Sequence, residues 1–144
     1  MSFHQQSFSN RFKAMGDEAE GMFEQAYEGK FVRYGLNRPP ISMQKMPAKI
    51  RYTPDYMTSK ALVEVMGVGN DRLLKLKTEK AHALQEWHED WNVELFLWDS
   101  KLKQYTSIPW PALWELVIHM PMNTFPEGKQ YWEIDVDKHV WQIP

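Results

Sequence analysis

Cysteine is absent from all 144 residues, which excludes disulfides and thiolate zinc centres and leaves carboxylates, histidines and backbone carbonyls as the available metal donors. Such a donor set favours a hard ion, Mg²⁺ or Mn²⁺. No apolar run approaches the length of a membrane span, and the polar start Met1-Ser-Phe-His-Gln-Gln lacks the apolar core of a signal peptide. A cytoplasmic location is therefore expected. Internal repeats and low-complexity segments are missing too. His82 and His88 do not form the two-histidine zinc pattern at i and i+4, and the glycines near Asp71-Arg72 lack the Lys-Ser or Lys-Thr ending of a phosphate loop.

What the chain does have is a 43% hydrophobic content, 25% charged residues and seven tryptophans, a balance that belongs to a folded globule. The length suits one domain spanning 1–144, with polar residues 1–11 loosely held. The net charge of −2 hides an asymmetry. Residues 45–80 carry eight basic side chains (Lys45, Lys49, Arg51, Lys60, Arg72, Lys75, Lys77, Lys80) against four acids, while the other residues hold nine basic and fifteen acidic ones. A polyanion would find its counter-charge there; a solvated basic face is the alternative.

Apolar positions from Phe12 to Tyr27 follow helical spacing, with Glu20 on the flank of the apolar face, Gly16 one turn earlier and Glu18 solvated on the other flank. A short strand is expected over Lys30–Tyr34 and a loop over 35–40, while 41–47 shows no clear period. Lys49–Tyr52 and Ala61–Met66 are expected to pair as a hairpin around Pro54-Asp55. A helix is read from Leu73 to Trp91, or a later one with Leu74–Lys77 extended. Val93–Asp99 is the strongest strand, followed by a turn at Ser100–Lys103, a strand to Ile108, a helix from Pro111 to His119 and a last strand over Lys129–Val136. Trp87, Trp91, Trp98 and Trp114 fall on apolar faces as core residues. Trp110, between two prolines, is the one candidate for base stacking.

Within this layout two acids stand out. Alternation puts Leu62, Glu64 and Met66 on one face of a strand, where an acid is costly unless a cation or donor receives it. Pro54 lacks a ladder donor and holds Asp55 at a turn beside that strand. The order Pro54-Asp55, then Glu64-Val65-Met66, resembles the signature of the PD-(D/E)XK nuclease superfamily, here with Met66 where the family's lysine stands.

The resemblance covers roughly residues 14–100 and implies an α/β (α+β) fold, a central mixed β-sheet flanked by helices with a restriction-endonuclease-like core. It implies a metal-dependent DNA endonuclease, close in layout to small Holliday junction resolvases and phage-encoded relatives, working as a homodimer in the cytoplasm, the host's if phage-encoded. Asp55, Glu64 and the Val65 carbonyl would hold Mg²⁺ or Mn²⁺, and Glu20 a second metal or its water. Lys77 is the first choice for the displaced catalytic lysine, ahead of Lys75 and Lys80, because it lies on the core side of the expected helix. Lys49, Arg51, Lys60, Arg72, Lys75 and Lys80 are the expected DNA contacts. Two alternatives remain: a non-catalytic DNA-binding or phage structural protein on this fold, and an adaptor docking a partner through its aromatic Trp110–Trp141 segment.

Overall fold

The computed structural model describes residues 8–35 and 45–135, with side chains in the first helix from Gly16 onward. The side chains of Phe12 and Met15, loop residues 36–40, most of 41–47, the first seven residues and the C-terminal end of the Trp110–Trp141 segment lie outside the described residues. The described residues form a mixed α/β domain of four helices and eight strands, with a five-stranded sheet at its centre and a separate three-stranded sheet.

Helix α1 (Phe8–Ala26) is followed by β1 (Phe31–Arg33), α2 (Ala48–Arg51), β2 (Tyr56–Thr58) and β3 (Leu62–Val68). Strands β1, β2 and β3 run antiparallel to their neighbours, and β3 then pairs in parallel with β5 (Val93–Asp99), which pairs antiparallel with β6 (Gln104–Pro109). A parallel pair needs a crossover, and α3 (Thr78–His88) lies within it. Both faces of β3 and β5 are covered, which is why these strands read as near-continuous apolar runs. On one face, Ala19 and Phe23 of α1 meet Tyr56, Val63, Val65, Phe96 and Trp98. On the other, Leu62, Val68, Leu95 and Leu97 meet Ala81 and Leu84 of α3 and Trp110, Leu113 and Val117 of α4 (Trp110–Val117).

The expected central mixed sheet is joined by a second, smaller one. Strand β4 (Leu73–Lys77) pairs with β8 (Gln130–Asp135), and β7 (Asn123–Thr124) adds to β8's other side. Leu74 and Leu76 turn inward against Trp132 and Ile134, so Lys75 and Lys77 turn outward. Of the two expected readings, the later helix with Leu74–Lys77 extended is the one found, and α3 starts at Thr78. The expected hairpin is also corrected: Pro47 opens a helical turn at Ala48–Arg51, and β3's partner is Tyr56–Thr58.

Polar contacts of two residues brace the C-terminal end of β5. Asp99 (0% exposed) accepts from Arg72 Nε at 2.9 Å, from the Lys101 and Leu102 N–H groups and from Gln104 Nε2. Trp98 Nε1 donates to Glu18 Oε1 at 3.1 Å; Glu18 is exposed, as its solvated reading has it, and still partners the core tryptophan. Trp110, expected as a stacking surface, is fully buried and donates from Nε1 to Gln85 Oε1 at 2.8 Å.

Candidate active site

The two singled-out acids meet, and the backbone explains how. In β2 and β3, Thr58 N–H donates to the Ala61 carbonyl and Tyr56 faces Val63. Continuing that register by two residues sets Pro54 opposite Val65. Proline has no N–H to offer the Val65 carbonyl, and the Val65 N–H donates instead to Asp55 Oδ2 at 2.8 Å. The ladder thus stops at the point where a side-chain carboxylate replaces a strand. Gly35 packs against this turn: a Cβ there would lie 2.7 Å from the Pro54 carbonyl oxygen, and the Tyr34 and Gly35 N–H groups hold the Asp55 carbonyl.

Glu64, on the α3-facing side of β3, hydrogen-bonds the Asp55 side chain. Its side chain is only 5% exposed, and Lys80 Nζ lies 2.7 Å from its Oε2. Lys80 comes from the first turn of α3 and also stands 5.7 Å from the Tyr52 ring centroid. Burial, followed by the charge and hydrogen bond of Glu64, pushes the Asp55 carboxyl up to about 9; the Val65 N–H and Lys80 pull only part of the way back. Two carboxyl groups in contact share one proton at neutral pH. For Lys80 burial acts downward, but Glu64, Asp55 and Tyr52 together raise it, so the amine stays charged.

Glu20 belongs to an adjoining pair. Arg33 of β1, which the sequence reading did not single out, grips Glu20 through two bonds of 2.8 and 3.1 Å and reaches within 4.0 Å of Asp55 Oδ1. The guanidinium also sits 4.7 Å from the Tyr56 ring centroid, and its pKa is raised first by the bond to Glu20. Tyr56 in turn donates to Glu24 at 2.7 Å. Arg33 therefore stands between Glu20 and Asp55, in the place the sequence reading gave to a second metal.

Lys77, the first choice for the displaced lysine, is not at this site. It ends β4 on the outer face, with its amine 6.0 Å from the Phe125 ring centroid. Lys75 pairs with Asp71 at 3.5 Å. Among the expected DNA contacts, Arg51 binds Glu79 at 2.7 Å, Arg72 is consumed by Asp99, Lys49 lies over Trp87 and Lys80 belongs to Glu64. Lys60 is exposed in the turn between β2 and β3.

Among the described residues, no three His, Asp or Glu side chains converge on one metal position. Magnesium does not require three: it is held by one or two carboxylates, keeps several waters and takes oxygen from a substrate phosphate. Asp55, Glu64 and the Val65 carbonyl are hard oxygen donors that fit this. Asp55 is 19% and Lys80 21% exposed, so the pair is reachable from solvent. Comparison of the chain with protein-family models, with curated proteins and with solved structures finds no match.

Proposed function

We propose that the chain is a metal-dependent DNA endonuclease of the PD-(D/E)XK type in which Lys80 of α3 replaces the lysine missing at Met66. The observation that carries this reading is the Lys80 amine 2.7 Å from Glu64, with Glu64 bonded to Asp55. Leaving aside the one-turn α2 and β4 of the second sheet, the order α1, β1, β2, β3, α3, β5 supports it, because helix, strands, helix, strand is the core order of the family the motif resembles. Asp55, Glu64 and the Val65 carbonyl would hold Mg²⁺ or Mn²⁺. When bound, such an ion lowers the pKa of a water and offsets charge on a phosphoryl oxygen.

The chain's own groups supply the rest. Lys80 holds a positive charge beside the carboxylates, where it offsets negative charge developing on a phosphate and orients a water by donating to it. Arg33 adds a second cation within reach of the same place, with Glu20 fixing its orientation. Met66 cannot do this work, because a thioether carries neither a charge nor a donor.

The test is cleavage of supercoiled plasmid and of four-way-junction DNA in Mg²⁺. Wild type should cut, Asp55→Ala and Lys80→Ala should not, and Lys77→Ala should cut normally. A wild-type protein that binds DNA but never cuts under these conditions would point to the non-catalytic alternative. The family resemblance also implies a homodimer, since a junction presents two strands to be cut. Sedimentation of the free protein at about twice the monomer mass of 17.1 kDa checks this.

A further inference from the structure

Below the carboxylate pair, at the start of β3 and the end of α3, a cleft of about 450 Å³ opens between Met57, Lys60, Leu62, His88, Asp90 and Trp91, a volume in the range of small-molecule sites. The cleft is lined from the same two strands that carry or flank the carboxylates. Met57 and Leu62 each lie two residues along a strand from Asp55 and Glu64, about 7 Å at about 3.3 Å per residue. That is about two base steps of B-form DNA.

The lining of the cleft has the composition that receives a base. Trp91, expected as a core residue, is instead 50% exposed, whereas Trp98 and Trp110 are buried. Lys60 is an exposed cation at the rim. Asp90 offers an acceptor for an exocyclic amine. His88 lines the same cleft at the end of α3.

We infer that this cleft holds an unpaired base of the DNA substrate next to the cut, stacked on Trp91 with its phosphate toward Lys60. The inference rests on the nuclease reading and deepens it, because it selects branched or single-stranded junctions over blunt duplex. A flat indole accepts any base, so the selection is for unpairing and not for sequence.

The test uses the cleavage-dead Asp55→Asn protein without metal. Its partners are a blunt duplex and a duplex of the same length with a short unpaired flap containing 2-aminopurine. Stacking is worth about 1–3 kcal/mol per base, so adding Trp91→Ala should weaken flap binding by about 5- to 150-fold while blunt-duplex binding stays within about two-fold. Quenching of 2-aminopurine should disappear in the same protein, and Trp91→Phe should restore most of both. Trp91 is half exposed, so a thermal melt of Trp91→Ala should superimpose on that of the parent.

Equal binding of the flap before and after Trp91→Ala, in a protein that binds DNA, overturns the inference and leaves the nuclease reading standing. An equal loss on flap and blunt duplex also overturns it, since Trp91 would then read duplex in general. Failure of the parent to bind either DNA, together with absence of plasmid cleavage by wild type, removes the nuclease reading and the inference with it.

Discussion

Asp55→Asn should make the protein more stable in the absence of metal, and increasingly so as pH rises. Folding carries the Asp55 carboxyl from its ordinary value of 3.8 up to about 9, chiefly through burial and then through Glu64. Between those values the folded chain keeps a proton that the unfolded chain has released, so the unfolded state binds fewer protons and stability falls with rising pH. Each pH unit in that window costs about 1.4 kcal/mol. From 3.8 to pH 5 the cost is about 1.6 kcal/mol, and from 3.8 to pH 7 it is about 4 kcal/mol as an upper limit. Solvent reaches a fifth of the side chain, so a gain of about 1–3 kcal/mol at pH 7 is the expectation. Asparagine keeps the geometry, since its oxygen can accept from Val65 N–H and its amide can donate to Glu64. Urea unfolding of both proteins in EDTA at pH 5, 7 and 8 measures the difference. A difference that does not grow with pH, or an asparagine variant less stable than wild type at pH 8, refutes the picture of two carboxyls sharing one proton.

Lys80→Ala should destabilise by about 3 kcal/mol, because it strands a buried carboxylate without its cation, whereas Lys77→Ala on the outer face of β4 should change stability by no more than about 0.5 kcal/mol; urea midpoints compare the two. Arg72→Ala should cost about 3–5 kcal/mol by leaving Asp99 buried without its guanidinium. At a temperature where that variant stays folded, its DNA affinity should match wild type, and a filter-binding titration would expose any direct role in DNA contact. Gly35→Ala should remove most cleavage while leaving a cooperative thermal unfolding transition, since the new Cβ would press on the Pro54 carbonyl 2.7 Å away and shift the turn that carries Asp55.

The strands with the simplest local signal were the ones visible in the sequence. Val93–Asp99 is buried on both faces and reads as a continuous apolar run, and Gln130–Asp135 alternates cleanly. The first helix was equally plain. What was hidden were pairings made over long separations. Strand β4 finds its partner more than fifty residues downstream, and nothing local to Leu73–Lys77 announces that. Its leucines also fit the helical spacing of the segment that follows, so local pattern alone leaves two readings, a helix from Leu73 or a strand before a later helix, and the pairing with β8 decides for the second. The short strand that carries Arg33 is visible in the sequence, but nothing within it marks Arg33 as a site residue. Its role comes from Glu20 and Asp55, thirteen and twenty-two residues away.

The same five residues decide which lysine meets the carboxylates. In Leu74-Lys75-Leu76-Lys77 the alternation has a period of two. If the leucines face the core, both lysines must face away from it, and no rotamer brings them back across the strand. A helix opening at Thr78 instead places Lys80 four residues before Leu84, so the two share a face, and one before Ala81, with Ala81 and Leu84 both buried. Of the three lysines, only Lys80 can then reach inward, and Glu64 is the acid that waits on the facing strand. Met66 lies on the same face of β3, about 7 Å further along, and packs at the edge of the main core. A lysine there would bring a second ammonium toward carboxylates already served by Lys80 and Arg33. If the charge at the site is what matters, Lys80→Ala combined with Met66→Lys should recover part of the lost cleavage. Met66→Lys alone should not exceed wild type.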